Sequence, residues 1–242
     1  MHRAAVATAV VVAFAAAPQS VHAQIPTAPG VDLSGSYRIT TGAGPNGEGQ
    51  YGGRVEISRK GGCYHVHWEI HDGTTYEGVG LVLGSGLFAV AWTDAPREGY
   101  GVVAFLDSDA KGGYIGEWCQ PDGGRGDEWL GPPRTLLGAH PIRGEKGSYS
   151  GTLTVTRAGE SADTSRVPLR LAWRTTQGDY PGYGVDFNGQ LLVAVRGMSE
   201  GGGLGLYAVG EDQLDGQWAS IGFTAVGVEN LQREPGKARS TK

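Results

Sequence analysis

The stretch Cys63-Tyr64-His65-Val66-His67-Trp68-Glu69-Ile70-His71 decides the fold class. Tyr64, Val66, Trp68 and Ile70 fall on one face, and His65, His67, Glu69 and His71 on the other. Successive side chains of a strand point to opposite faces, so this period of two marks a strand with one buried side. The pattern recurs. Val55 and Ile57 alternate with Arg54, Glu56 and Ser58, and Leu169, Leu171 and Trp173 alternate with Arg170, Ala172 and Arg174. Gly- and Asp-rich turns separate such runs at roughly 8–12 residues, the spacing of an antiparallel meander. Beyond residue 23 no stretch sustains a helical period. The expected fold is all-β, with about six or seven short strands in each of two repeats, closed into barrel-like or sandwich-like sheets.

The repeat is legible along both halves. Tyr51-Gly52-Gly53-Arg54-Val55 matches Tyr149-Ser150-Gly151-Thr152-Leu153, and Tyr64 to Trp68 match Leu169 to Trp173. Gly78-Val79-Gly80 matches Gly182-Tyr183-Gly184, residues 87–92 match 191–196, and Gly116-Glu117-Trp118 matches Gly216-Gln217-Trp218. The order is kept throughout, at an offset of about 100 residues, which is too long for a solenoid unit. The expected organisation is a leader at 1–23, a linker at 24–32, a first repeat at 33–131, a Pro-rich linker at 132–146, a second repeat at 147–232 and a tail at 233–242. Residues 87–92 and 102–106, with their partners 191–195 and 204–209, are apolar on both faces. Strands of that kind need cover on both sides. Either the two repeats pack on each other there, or two copies of the chain form a homodimer there.

Arg3, the apolar run through Ala17, Pro18 and the small-x-small triplet Val21-His22-Ala23 read as a signal peptide cleaved near Ala23, which implies a periplasmic or secreted protein. The apolar run is too short for a comfortable membrane span. In an oxidising compartment an isolated pair of cysteines is expected to be bonded, so Cys63 and Cys119 are assigned to a disulfide. The net charge of −5 and the lack of a basic stripe argue against a nucleic-acid surface. Glycine, at 43 of 242 residues, serves turns and close backbone contacts, because it follows no collagen-like period.

Leu33-Ser34-Gly35-Ser36-Tyr37, the run from Tyr51 to Ile57, Tyr64-x-Val66-x-Trp68, Tyr76-x-Gly78-Val79-Gly80 and Gly116-x-Trp118 together resemble a family of small exported bacterial β-domains labelled fibronectin-binding proteins. The first repeat carries most of the resemblance, and the second is a weaker copy. The resemblance implies an exported β-domain and an extracellular-matrix protein as partner. It brings no catalytic residues.

Five side chains on one strand face, Cys63, His65, His67, Glu69 and His71, have the types that bind zinc or copper, with alternate residues about 6.5–7 Å apart. The second copy has Arg170, Ala172 and Arg174 where the first has His65, His67 and Glu69, so the solvent-facing reading is preferred and no metal or other cofactor is expected. Gly197-Met198-Ser199-Glu200-Gly201 has the G-x-S-x-G form but sits between strands rather than at a strand–helix elbow. Gly47 to Gly52 fits G-x-G-x-x-G and opens a strand, not a helix. The segment from Asp107 to Gly112 begins like a calcium loop but lacks the closing Glu. Arg125-Gly126-Asp127 is an adhesion-type tripeptide read in a loop. Trp118 and Trp218 are expected in the core with Trp68 and Trp173, whereas Trp92, Trp129, Tyr180 and Tyr183 are the aromatic candidates for a binding surface. With no catalytic constellation, the expected function is a non-enzymatic exported module that binds a macromolecule. The alternative is a metal- or small-ligand-binding β-barrel using the His65/His67/Glu69 face.

Overall fold

The structure, a computed structural model, describes residues 32–235 apart from 48, 85, 96–98, 109–112, 133–134, 160–165, 188–190, 199 and 223–224. The leader and most of the tail read from the sequence lie outside the described residues, as do Ser199 and the centre of the calcium-like loop.

Eight strands come from the first repeat: β1 (Gly35–Ala43), β2 (Gly53–Lys60), β3 (Cys63–Ile70), β4 (Thr75–Leu83), β5 (Leu87–Thr93), β6 (Gly101–Ser108), β7 (Gly113–Cys119) and β8 (Arg125–Leu130). Eight more follow: β9 (Gly138–Gly144), β10 (Ser150–Arg157), β11 (Arg166–Thr175), β12 (Gly178–Phe187), β13 (Leu191–Arg196), β14 (Gly202–Val209), β15 (Gln213–Ser220) and β16 (Gly227–Arg233). The stretch 132–146, read as a linker, therefore contains a strand. Pro141 and the charges around it hid β9, whose Ile142 and His140 are both buried.

The sheets close into two antiparallel barrels, and neither barrel is one repeat. The first barrel runs β1-β2-β3-β4-β5-β14-β15-β16, and the second β9-β10-β11-β12-β13-β6-β7-β8. Each repeat gives its first five strands to one barrel and its last three to the other. This is the strand exchange of a domain-swapped dimer, carried out within one chain. The exchange is possible because β6 and β14 hold equivalent places in the two repeats: β5 pairs β14 through Phe88↔Tyr207, and β13 pairs β6 through Leu192↔Phe105. Closure leaves neither barrel with a free edge.

Three apolar clusters explain the sequence pattern. Val55, Val66, Trp68, Phe88, Val90 and Tyr207 belong to the interior of the first barrel. Val103, Phe105, Leu153, Leu171, Trp173 and Leu192 belong to that of the second. Between the barrels lies a third core, to which Ala89 and Ala91 of β5, Val102 and Ala104 of β6, Val193 and Val195 of β13, and Leu204 of β14 contribute. The strands apolar on both faces are thus covered inside by their own barrel and outside by the other, so the cover they need comes from within the chain.

The disulfide between Cys63 and Cys119 is present, with Cα atoms 5.8 Å apart. Because β3 lies in the first barrel and β7 in the second, the bond ties the barrels together. By strand register the second copy places Pro168 and Ala219 at the corresponding positions.

Candidate ligand-binding site

Each barrel has a carboxylate inside it. Glu229 on β16 and Glu128 on β8 occupy equivalent inward positions, in Gly227-x-Glu229-x-Leu231 and Gly126-x-Glu128-x-Leu130, and are 3% and 1% exposed. A buried carboxylate needs hydrogen-bond donors, and the repeat supplies them. Glu229 Oε1 accepts from Trp68 Nε1 at 3.0 Å and from the Tyr207 hydroxyl at 2.7 Å, and its Oε2 accepts from the Tyr51 hydroxyl at 3.0 Å. Glu128 Oε1 accepts from Trp173 Nε1 at 3.0 Å, and its Oε2 accepts from the Tyr149 hydroxyl. Trp68 matches Trp173, and Tyr51 matches Tyr149. Phe105 stands in place of Tyr207, so Glu128 lacks the third donor. Burial pushes both carboxyls above the usual range, against the pull of their hydrogen bonds. Burial and the Glu229 carboxyl likewise push the Tyr51 and Tyr207 phenols well up, which keeps them protonated donors. Gly78 and Gly182 make room for the indoles, since a Cβ there would meet Trp68 and Trp173 ring carbons at 2.7 and 2.5 Å.

The two barrels differ at the mouth. In the second, Arg196 ends β13 only 9% exposed. Its guanidinium carbon stands 4.7 Å from the Tyr180 ring centroid and 5.7 Å from that of Trp118, and its charge favours ionised Glu128. The register puts Trp92 at the same place in the first barrel: Gly78 faces Trp92 as Gly182 faces Arg196. Trp92 contacts the equivalent rings edge-on, Tyr76 at 5.2 Å and Trp218 at 6.1 Å, and Tyr51 meets Trp218 at 6.3 Å. These near-perpendicular rings wall a cavity of about 240 Å³ that reaches Glu229 at its floor. Asp72 lies at its rim, and no Lys or Arg is among its lining residues. Among the described residues the Trp218 indole N–H in this wall has no hydrogen-bond partner, and neither has that of Trp118 in the other barrel.

The sequence candidates are therefore dispersed. Trp92 lines the cavity. Tyr180 is the corresponding wall of the second barrel, beneath Arg196. Trp129 is half-buried with the Arg143 guanidinium 4.5 Å from its ring centroid, and Tyr183 is buried between the barrels. Trp68 and Trp173 are core residues, but Trp118 and Trp218 are only half-buried, because they sit where the barrels open. The sequence reading missed Glu128, Glu229 and Tyr207, and it assigned Trp218 to the core rather than to the cavity wall. The signal for the acids was available: a Glu at an inward position between Gly and Leu, in both copies.

His65 and His67 lie on the outer face of β3 and share one partner. His65 Nε2 is 2.8 Å from Glu77 Oε2, and His67 Nδ1 is 2.8 Å from Glu77 Oε1. Glu69 is 3.6 Å from His67, and His71 lies in the turn beyond the strand. Among the described residues no group of three or more His, Cys, Asp or Glu side chains is arranged to hold a metal ion. The Cys63 sulfur is committed to the disulfide. The adhesion-type tripeptide opens strand β8 rather than a loop, with Arg125 bonded to Glu117 and to the Gly62 carbonyl. Of the G-x-S-x-G segment, the described residues Gly197, Met198, Glu200 and Gly201 lie between β13 and β14, and none of them is helical. No helix of the described residues is long and apolar enough to cross a membrane. No protein-family model matches the chain, and no curated protein matches it.

Proposed function

We propose that the chain is a binding protein that takes a small ligand in the open mouth of its first barrel. The observation that carries this reading is the contrast between two copies of one site. Both keep the Glu–Trp–Tyr floor, but in one the mouth is filled from within by Arg196, and in the other it is a 240 Å³ cavity walled by Trp92, Trp218, Tyr76 and Tyr51. Apolar, aromatic-lined concavities with one or two placed polar groups are the usual form of small-ligand sites, and this volume suits a ligand below the roughly 300 Å³ of drug-sized pockets.

The test is a ligand-observed NMR screen of small fragments of mixed charge against the wild-type chain and Trp92→Arg, which supplies from within the group found in the other barrel. The reading expects fragments that bind the wild type and lose binding to the variant. A screen with no binder, or binders unaffected by Trp92→Arg, would contradict it.

A further inference from the structure

Resting on that reading, we infer that the ligand presents to the first barrel a small organic cation bearing N–H donors, a guanidinium or an ammonium head, with Glu229 as its counter-ion. The second barrel contains the precedent. There a guanidinium lies among the rings of Tyr180 and Trp118 above the equivalent carboxylate. In the first barrel Trp92 takes the place of that arginine, keeps the same ring neighbours and adds a third aromatic face. Among the described residues no cation is paired with Glu229, which is 3% exposed in a cavity whose described lining has no basic residue.

The hydrogen-bond inventory sets the size of the vacancy. A carboxylate offers about four acceptor positions. Trp68, Tyr207 and Tyr51 take three, two of them on Oε1. One position on Oε2 is open, enough for a single N–H. The surrounding faces of Trp92, Trp218 and Tyr76 suit the rest of a cation, because an aromatic ring presents its negative quadrupole to positive charge. An anion would face Glu229 and Asp72 together, and a neutral ligand would leave the buried carboxylate uncompensated.

The six tryptophan indoles give the readout. The ¹⁵N-labelled protein is titrated at constant pH with methylguanidinium, methylammonium and the neutral isostere methylurea. At least one cation is expected to shift the Trp68, Trp92 and Trp218 indole signals saturably and to leave those of Trp118, Trp129 and Trp173 in place. The tighter of the two cations identifies the head. In Glu229→Gln, whose amide can still accept from Trp68 and Tyr207 and donate to Tyr51, binding is expected to weaken at least tenfold with an otherwise unchanged spectrum. Trp92→Arg is the second variant and is expected to abolish binding. Methylurea binding as tightly as the cations, or Glu229→Gln binding them as tightly as the wild type, would overturn the inference. So would neutral or anionic fragments binding in the cavity when neither cation does, and that outcome would leave the pocket reading standing. Failure of every compound to shift these indoles would overturn both.

Discussion

Replacing Arg196 with Met removes the guanidinium that closes the second barrel but keeps a long apolar stem. Arg196 has two aromatic neighbours, at 4.7 and 5.7 Å, in a site where it is 9% exposed. Contacts of this kind contribute from about 0.5 kcal/mol at exposed sites to about 2 kcal/mol when desolvated, so this pair, one of them near the limit of range, contributes about 2 kcal/mol together. The variant also strips Glu128 of the charge that favours its ionised form. The carboxyl can respond by taking up a proton, which caps that part of the cost at about 1 kcal/mol. The expected loss is thus about 3 kcal/mol near neutral pH and about 2 kcal/mol in acid, where Glu128 is neutral and only the ring contacts are missing. The sign follows from the direction of the shift. Burial already raises Glu128 in the folded state, and removing Arg196 raises it further. A raised carboxyl stabilises the fold below the ordinary carboxyl range, and that stability is lost as pH climbs through the raised value. The variant should therefore lose stability more steeply with rising pH than the wild type. Urea unfolding at about pH 4 and about pH 8 measures this, and a double-mutant cycle with Glu128→Gln isolates the coupling, expected at about 1 kcal/mol in the neutral arm and near zero in acid. A cost under about 1 kcal/mol, equal at both pH values, would refute the pairing of Arg196 with Glu128.

The same sign governs the first barrel. Wild-type stability should fall as pH rises through the raised carboxyl of Glu229, and Glu229→Gln should flatten that part of the profile in thermal melts. Replacing Cys63 and Cys119 together with Ser should cost about 4 kcal/mol in denaturant unfolding on the chain-entropy estimate for a separation of 56 residues. The first repeat alone, residues 33–131, should sediment as a dimer, with β6 to β8 of each copy completing the other's barrel. A stable monomer would mean that exchange is not intrinsic to the repeat.

Much of the architecture could be read from local pattern. The alternation in Tyr64, Val66, Trp68 and Ile70 gave the correct inward face, because one side of a barrel strand is dry. The strands apolar on both faces correctly required a second cover. The exchange could not be read. β6 and β14 hold equivalent places in the two repeats and both follow the same two-faced apolar pattern, so either satisfies the edge of β5, and pattern alone cannot choose between a strand from the same repeat and its counterpart. The site was half visible. The alignment had set Trp92 opposite Arg196, yet the meaning of that difference depends on which rings surround each, and those come from β4 and β12 and from the exchanged strands β15 and β7. The histidines of β3 drew attention as possible ligands, but their partner, Glu77, comes from the neighbouring strand β4 and was not considered.

On the proposed reading the two barrels hold one site twice, once filled by the chain and once open. Binding stoichiometry tests it most directly. Calorimetric titration of the wild type with the cation that binds should give one site per chain. Trp92→Arg should give none, and Arg196→Trp should give two. Two sites in the wild type, or a stoichiometry unmoved by either substitution, would mean that Arg196 and Trp92 do not set which barrel is open.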